Sequence, residues 1–365
     1  MVAIGGGHGQ AVTLRAVKSW AGDLTAVVSV ADDGGSSGRL RRELGILPPG
    51  DLRRCLSALA DPDSLLAKVF EHRFDAGELA GHAVGNLVLA GLLSAASDPV
   101  AALEEAGRLL RIRGRVLPAS TVAVVLTAEL GSDSAVPQKG DVFTSSADGL
   151  SAPCRDAQVV KGQVAVMATG RIRRLMLQPK ELPVPTEVLD AILGADQVVL
   201  GPGSLYTSVL AACSVPGVRE ALLRTSAMKI YVCNLRQQVP ETSGYGWDDH
   251  VLALVDHGII PDVVLCHPGA LGHRGALNSH EQATARLRSW LHPDWDAADP
   301  GSRPSGLTQQ GPADRGLAGS QPTHRSTGIR LVERQVALEG RAIHDPDLLG
   351  TALGELAGVD PGLIG

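Results

Sequence analysis

Two spacings of apolar residues divide this chain. Short runs rich in β-branched residues recur at Val2–Ile4, Leu24–Val30, Asp196–Leu200, Lys229–Asn234 and Asp262–Cys266, and most lead straight into a glycine or polar turn. Runs of this length without alternation are the signature of strands buried on both faces of a parallel sheet. Between them, apolar positions return every three or four residues, as in Val12, Leu14, Val17 and Trp20 or in Leu52, Leu56 and Leu59 of the segment Pro48–Ala60. Such spacing places one buried stripe on a helix. Ser64–Phe74, Glu78–Ala96 and Asp98–Leu110 extend this into a helical excursion, while Val184–Leu193 and Asp248–His257 give later helices. From Arg115 to Gln178 the period changes to two, and Val122–Leu126, Gln163–Ala168 and Ile172–Leu177 read as strands around a Ser-, Gly- and Pro-rich stretch. The expectation is an α/β fold with a mostly parallel sheet, residues 1–130 and 183–291 forming its two halves. A small β-rich insertion, largely antiparallel, occupies 131–182. Residues 292–328 are nearly free of apolar side chains and read as a flexible linker to a C-terminal strand and helix in 329–365, which dock on the core.

Polar chemistry concentrates where the buried runs end. The first run opens into Gly5, Gly6, Gly7, His8 and Gly9 before a helix, a geometry that lets backbone N–H groups approach a phosphate. The spacing is neither G-x-G-x-x-G nor a Walker loop, since Gln10 stands where a third glycine is needed and no G-K-[ST] follows. Asp32 lies at about the distance of a ribose-binding acid, which keeps a dinucleotide among the readings, although the glycine spacing tells against a nicotinamide enzyme. The second run ends in Asp32 and Asp33, then Gly34 and Gly35, the hydroxyls of Ser36 and Ser37 at a helix start, and Arg39, Arg41 and Arg42 a turn later. Acid, glycine, hydroxyl and guanidinium in one turn suit a phosphorylated ligand, with Asp32 or Asp33 as the ligand of any Mg²⁺. A second strand-to-helix glycine turn carries Gly201, Gly203, Ser204 and Tyr206, and the run 229–234 ends in Asn234 ahead of Glu241 and Thr242. His82 and Asn86 are four apart on one helical face, and Asn86 is a ligand-facing candidate. Loops that all follow parallel strands converge at one carboxyl edge.

Composition narrows the classes. A chain of 365 residues with 44% hydrophobic side chains but only 3% aromatics builds its core from Leu, Val and Ala. A formal charge of -6 argues against a general nucleic-acid binder. Five widely spaced cysteines with no C-x-x-C pair read as reduced thiols in the cytoplasm rather than disulfides or a zinc site. Neither a signal peptide nor a membrane span is expected.

The segments GGGHGQ, VADDGGSSGRLRRELGILPPGDLRRCLSALAD, GHAVGNL, GPGSLYTSV and NLRQQVPETSGY, in this order, resemble the gluconeogenesis-factor (YvcK-like) family from about Val2 to Pro268. That family shares a superfamily with the 2-phospho-L-lactate transferases (CofD-like) of F420 synthesis. The resemblance implies a Rossmann-like three-layer α/β/α domain and a UDP-sugar ligand, UDP-glucose or UDP-N-acetylglucosamine. It also implies a regulatory role in cell shape and gluconeogenic growth, with cell-wall synthesis proteins as partners and no demonstrated reaction. The transferase branch resembles G-G-x-G-G-A-K and N-T-G-D-D at the first two loops, where this chain has Gly5–Gln10 and Val30–Asp33 followed by SSGRLRRELGILPPGD. A Mg²⁺-dependent transferase of a phosphorylated group is the alternative. The family usually has Thr at the position of His8 and an apolar residue at that of Gln10. A homo-oligomer is expected. Within 301–327, a passive tether to the terminal strand and helix is the plainer reading, and hydroxyls interspersed with arginines give a Ser/Thr kinase site, with Thr323 or Thr327 as acceptor, as the other.

Overall fold

A computed structural model describes residues 1–131, 158–271 and 328–359. The expected linker, Thr323 and Thr327 lie outside the described residues. Seven parallel strands form the main sheet: β1 (Val2–Gly5), β2 (Thr25–Val28), β3 (Arg115–Pro118), β7 (Gln197–Leu200), β8 (Met228–Val232), β9 (Val263–Cys266) and β10 (Arg330–Glu333). Their order is β10-β9-β8-β7-β1-β2-β3, so the chain winds outward from β1 to β3 and then restarts on the other side at β7. Val2 pairs with Thr25 on one side and with Val198 on the other. The switch in winding direction therefore lies between β1 and β7, where a doubly wound sheet opens a crevice at its carboxyl ends. β1, β2, β7 and β9 are buried at every residue, as continuous apolar runs require.

Helices cover the sheet: α1 (Gly7–Val17), α2 (Gly35–Leu44), α3 (Pro49–Leu59), α4 (Leu65–Glu71), α5 (Val84–Ala95) and α6 (Pro99–Leu110) in the first half. The second half adds α8 (Thr186–Leu193), a π-helical turn (Leu205–Leu210) continuing into α9 (Ala211–Cys213), α10 (Pro216–Arg224), α11 (Trp247–Asp256) and the terminal α12 (Pro346–Ala357). α12 crosses α1 closely enough that a Cβ on Gly350 would stand 2.4 Å from the Ala16 carbonyl oxygen. The described cysteines Cys55, Cys213, Cys233 and Cys266 are free and buried.

Between the halves, β4 (Val125–Leu130), β5 (Val159–Lys161) and β6 (Ile172–Gln178) make a separate antiparallel sheet in the order β5-β4-β6. Three expectations for this region change. Arg115–Pro118 belongs to the parallel sheet, its register set by Thr25 opposite Arg115. The strand expected at Val122–Leu126 begins at Val125 and runs on to Leu130. Gln163–Ala168 is not a strand: Gln163–Met167 forms a helix, α7, because both carboxylate oxygens of distant Asp33 accept the N–H groups of its first turn. Elsewhere, the helix expected from Glu78 starts only at Val84, since Gly77 and Gly81 take left-handed φ in the turns before it. The strand expected over Ile329–Leu338 shortens to Arg330–Glu333, parallel to β9.

Candidate functional site

Two glycine turns face one another at the crevice. The Gly201 N–H donates to the Ile4 carbonyl at 3.0 Å, and the Thr13 hydroxyl of α1 donates to the Gly201 carbonyl at 2.8 Å. Gly9 is the contact between the turns, since a Cβ there would lie 2.1 Å from the Pro202 carbonyl oxygen. Asn234 grips Gly203 from both sides, accepting its N–H at 3.2 Å and donating to its carbonyl at 2.9 Å. Gly203 holds φ +148, a conformation other residues rarely adopt. The three loops after β1, β7 and β8 are thereby locked into one wall, from which the N–H groups at the start of α1 emerge.

The acidic turn after β2 supplies the opposite wall and divides its labour. Asp33 donates nothing to the crevice: its Oδ2 accepts the Gln163 N–H at 2.8 Å and its Oδ1 that of Val164 at 3.0 Å. Asp32 accepts only the Gly34 N–H on one oxygen, at 3.0 Å, and lines the cavity with the other side of its carboxylate. Against it stands Asp51, near the start of α3 and almost wholly buried. Asp51 accepts the Gly7 N–H and pairs with Arg54 at 2.7 Å. Burial, with the neighbouring Asp32 charge second, still raises its pKa from 3.8 to about 6. Gly6 and Gly50 make room for this pair, because a Cβ on Gly6 would meet Asp51 at 2.6 Å and one on Gly50 would meet Asp32 at 2.7 Å.

Two neighbouring cavities open between these walls. One cavity of about 430 Å³ is lined by polar groups, among them Asp32, Ser36, Ser37, Asp51 and Arg53. A second of about 560 Å³ adds apolar Val12, Leu235 and Ile343 to Arg15, Arg236 and Gln237. His8, Gly9, Arg54, Gly203 and Gln238 border both. His8 is held neutral first by burial and then by the Arg54 and Arg53 charges.

Gly5, Gly6, Gly7, Gly9, Gly34, Ser36, Ser37, Asn86, Gly201, Ser204 and Asn234 all lie at or beside these cavities. Other expected residues do other work. Tyr206 sends its hydroxyl to the Ile172 carbonyl at 3.1 Å and to Tyr245 at 3.0 Å, fastening the antiparallel insertion to the core. Glu241 is buried, and its Oε1 accepts the N–H groups of Tyr206 and Thr207 at 3.1 and 3.0 Å, closing the start of the π-helical turn. Thr242 bonds the Gln238 backbone, and Arg39 donates to the Ala80 carbonyl at 2.9 Å. Gln10 is internal and donates to Ala3 and Val27 carbonyls at 2.9 and 3.0 Å, bridging β1 and β2. Sequence reasoning passed over Asp51, Arg53 and Arg54, whose signal was an Asp-Leu-Arg-Arg run directly after Pro-Pro-Gly. The wall formed by Ala342, Ile343 and His344 of the C-terminal segment had no readable signal.

A family profile described as 2-phospho-L-lactate transferase CofD matches residues 1–288. The gluconeogenesis factor of Halalkalibacterium halodurans is 42% identical over 270 residues, 73% of this chain and 76% of its own. The chain belongs to the CofD family, among the gluconeogenesis factors. The gluconeogenesis factor of Bacillus subtilis is likewise 42% identical over 255 residues, 69% of this chain and 73% of the relative. A solved structure of a UPF0052 family member from Bacillus halodurans superposes with a TM-score of 0.70 at 33% identity, covering 96% of this chain and 97% of that one. The CofD profile stops short of β10 and α12, whereas that structural match spans nearly the whole chain.

Proposed function

We propose that this gluconeogenesis factor is a cytoplasmic nucleotide-sugar-binding regulatory protein, taking UDP-glucose or UDP-N-acetylglucosamine across the two neighbouring cavities. The diphosphate lies at their shared border, where the start of α1 beyond Gly7 offers N–H groups, Gly203 leaves room for close approach because it has no Cβ, and Arg54 adds a cation. The nucleoside occupies the cavity walled by Val12, Leu235 and Ile343, and the sugar hydroxyls face Asp32 and Ser37. The observation that carries this reading is the border itself: two glycine turns in direct contact at the switch point of the sheet, with a guanidinium beside them. The volumes of about 430 and 560 Å³ fall in the range of ligand sites. Ligand occupancy is relayed to partners in cell-wall synthesis, which links the site to cell shape and gluconeogenic growth. Titration calorimetry with UDP-glucose, UDP-N-acetylglucosamine and NAD tests the reading. Either UDP-sugar is expected to bind more tightly than NAD, and tighter binding of NAD would refute it.

The paired carboxylates favour a second reading, a Mg²⁺-dependent transferase. Asp32 and Asp51 are hard oxygen donors facing one another in a buried site, and one or two carboxylates with substrate phosphates are what Mg²⁺ usually takes. Asp33 does not fit that role, since both its oxygens are occupied by α7. When bound, the ion would supply charge neutralisation at the diphosphate. The chain's own part is to orient the phosphates with the glycine turns and to exclude water with α7, whose Gln163 and Met167 line the polar cavity. Incubation with sugar-labelled UDP-sugar and Mg²⁺ separates the two readings, as only the transferase releases a new labelled product.

A further inference from the structure

One hydroxyl in the polar cavity is held in more detail than phosphate binding requires. Ser36 is the second residue of α2 and lines that cavity. Its Oγ lies 2.8 Å from His82 Nδ1 and accepts a hydrogen bond from Asn86 Nδ2 at 2.9 Å. The orientation of Asn86 is fixed from its far end, because Asn86 Oδ1 accepts from Arg53 Nε at 3.0 Å and Arg53 is in turn paired with Glu71. An amide nitrogen can only donate. With the His82 ring proton on Nε2, Ser36 Oγ donates its own proton to His82 Nδ1 while accepting from Asn86. Burial first, then the Arg39 charge, lowers the pKa of this imidazole and so favours the neutral ring that can take that proton. Hydroxyl, base and an orienting amide within hydrogen-bond reach are the arrangement of an activated nucleophile.

We propose that Ser36 is a nucleophile toward phosphorus, with His82 as its general base and Asn86 and Arg53 as positioning residues. The proposal rests on the nucleotide-sugar reading for its substrate class, a pyrophosphate diester. Ser36 Oγ attacks the phosphorus that bears the sugar. The new O–P bond forms as the P–O bond to the nucleoside monophosphate breaks. That monophosphate leaves with the bonding electrons, and the serine proton passes to His82 Nδ1. The result is a sugar phosphate esterified to Ser36. His82 passes that proton to the departing monophosphate and, neutral again, deprotonates an acceptor hydroxyl. This hydroxyl attacks the same phosphorus and forms its own O–P bond while His82 returns the second proton to Ser36 as that ester breaks. The first N–H groups of α2 have no intrahelical acceptor, and the positive end of the helix favours charge building on the phosphoryl oxygens.

Diisopropyl fluorophosphate tests the nucleophile without any natural ligand, since its capture forms an O–P bond and expels fluoride while the base takes the proton. The full-length protein is expected to acquire one adduct, mapped to Ser36 by mass spectrometry of peptides. Ser36→Ala should not be labelled there, and His82→Gln should slow labelling at least a hundredfold. In parallel, wild-type protein quenched after mixing with sugar-labelled UDP-N-acetylglucosamine and Mg²⁺ should carry label on Ser36. Calorimetry on the same samples reports binding independently. UDP-sugar binding without either adduct in the wild-type protein would overturn the nucleophile while leaving the binding reading intact. Labelling equally fast in a folded His82→Gln variant would overturn the role of His82. A Ser36 adduct dependent on His82, in protein that binds no UDP-sugar, would support the nucleophile and remove the nucleotide-sugar reading instead.

Discussion

Replacing Asp51 with Asn should stabilise the fold at neutral pH and weaken it as a ligand site. Asp51 is buried against Asp32, and its pKa rises from 3.8 to about 6. The native state thus holds this proton more tightly than the unfolded chain does. The stability contributed by the protonated group is complete below 3.8 and is lost as pH rises through about 6. A shift of about two units corresponds to about 3 kcal/mol at neutral pH. Asn has the same shape, keeps an acceptor for the Gly7 N–H and does not titrate, but it loses the ion pair with Arg54. That pair forms only when Asp51 is ionised, and its favourable contribution is already contained in the net upward shift, so the pH dependence reports the carboxylate in its whole surroundings. Urea unfolding of wild type and Asp51→Asn in chelator-containing buffer should show the difference shifting in favour of the variant by about 2 kcal/mol between pH 4 and 7.5. A difference that stays flat over that window would mean Asp51 is not buried beside a second carboxylate, and the account of this wall would fail.

Other substitutions separate binding from scaffolding. Gly203→Val forces a β-branched residue into φ +148 at the border of the two cavities, and UDP-sugar affinity measured by calorimetry should fall at least tenfold, about 1.4 kcal/mol. Glu241→Ala strands the buried N–H groups of Tyr206 and Thr207, so unfolding free energy should drop by about 2 to 4 kcal/mol. Asp33→Ala removes the cap of α7 and should cost about 1 kcal/mol. Hydrogen exchange should localise that loss to residues 159–167, with melting of the main sheet nearly unchanged.

Five of the seven parallel strands were legible because each is a short apolar run, whereas Arg115–Pro118 and Arg330–Glu333 sit in stretches of alternating pattern and only pairing with β2 and β9 makes them parallel. The glycine turns were legible for the same reason: Gly5–Gly9 and Gly201–Gly203 interrupt strand and helix where no packing demand explains them. Tertiary contacts decided the rest. Val164 and Val166 in Gln163–Ala168 favour a strand locally, yet a carboxylate 130 residues away caps the segment as a helix. Asp32 and Asp33 are adjacent and chemically identical in sequence, and only the position of α7 assigns one to the scaffold and the other to the cavity. Asp51 reads as an ordinary helix-start acid until Asp32 is placed against it. Ser36 and His82 are 46 residues apart, and no periodicity links them.

The ligand's place is decided by a crystal structure of the protein with UDP-N-acetylglucosamine. The diphosphate should lie between the two glycine turns, accepting N–H groups from the start of α1 beyond Gly7 and packed against Gly203, with Arg54 beside it and the nucleoside against Leu235 and Ile343. A diphosphate bound away from both turns, with the border between the two cavities left vacant, would contradict this placement.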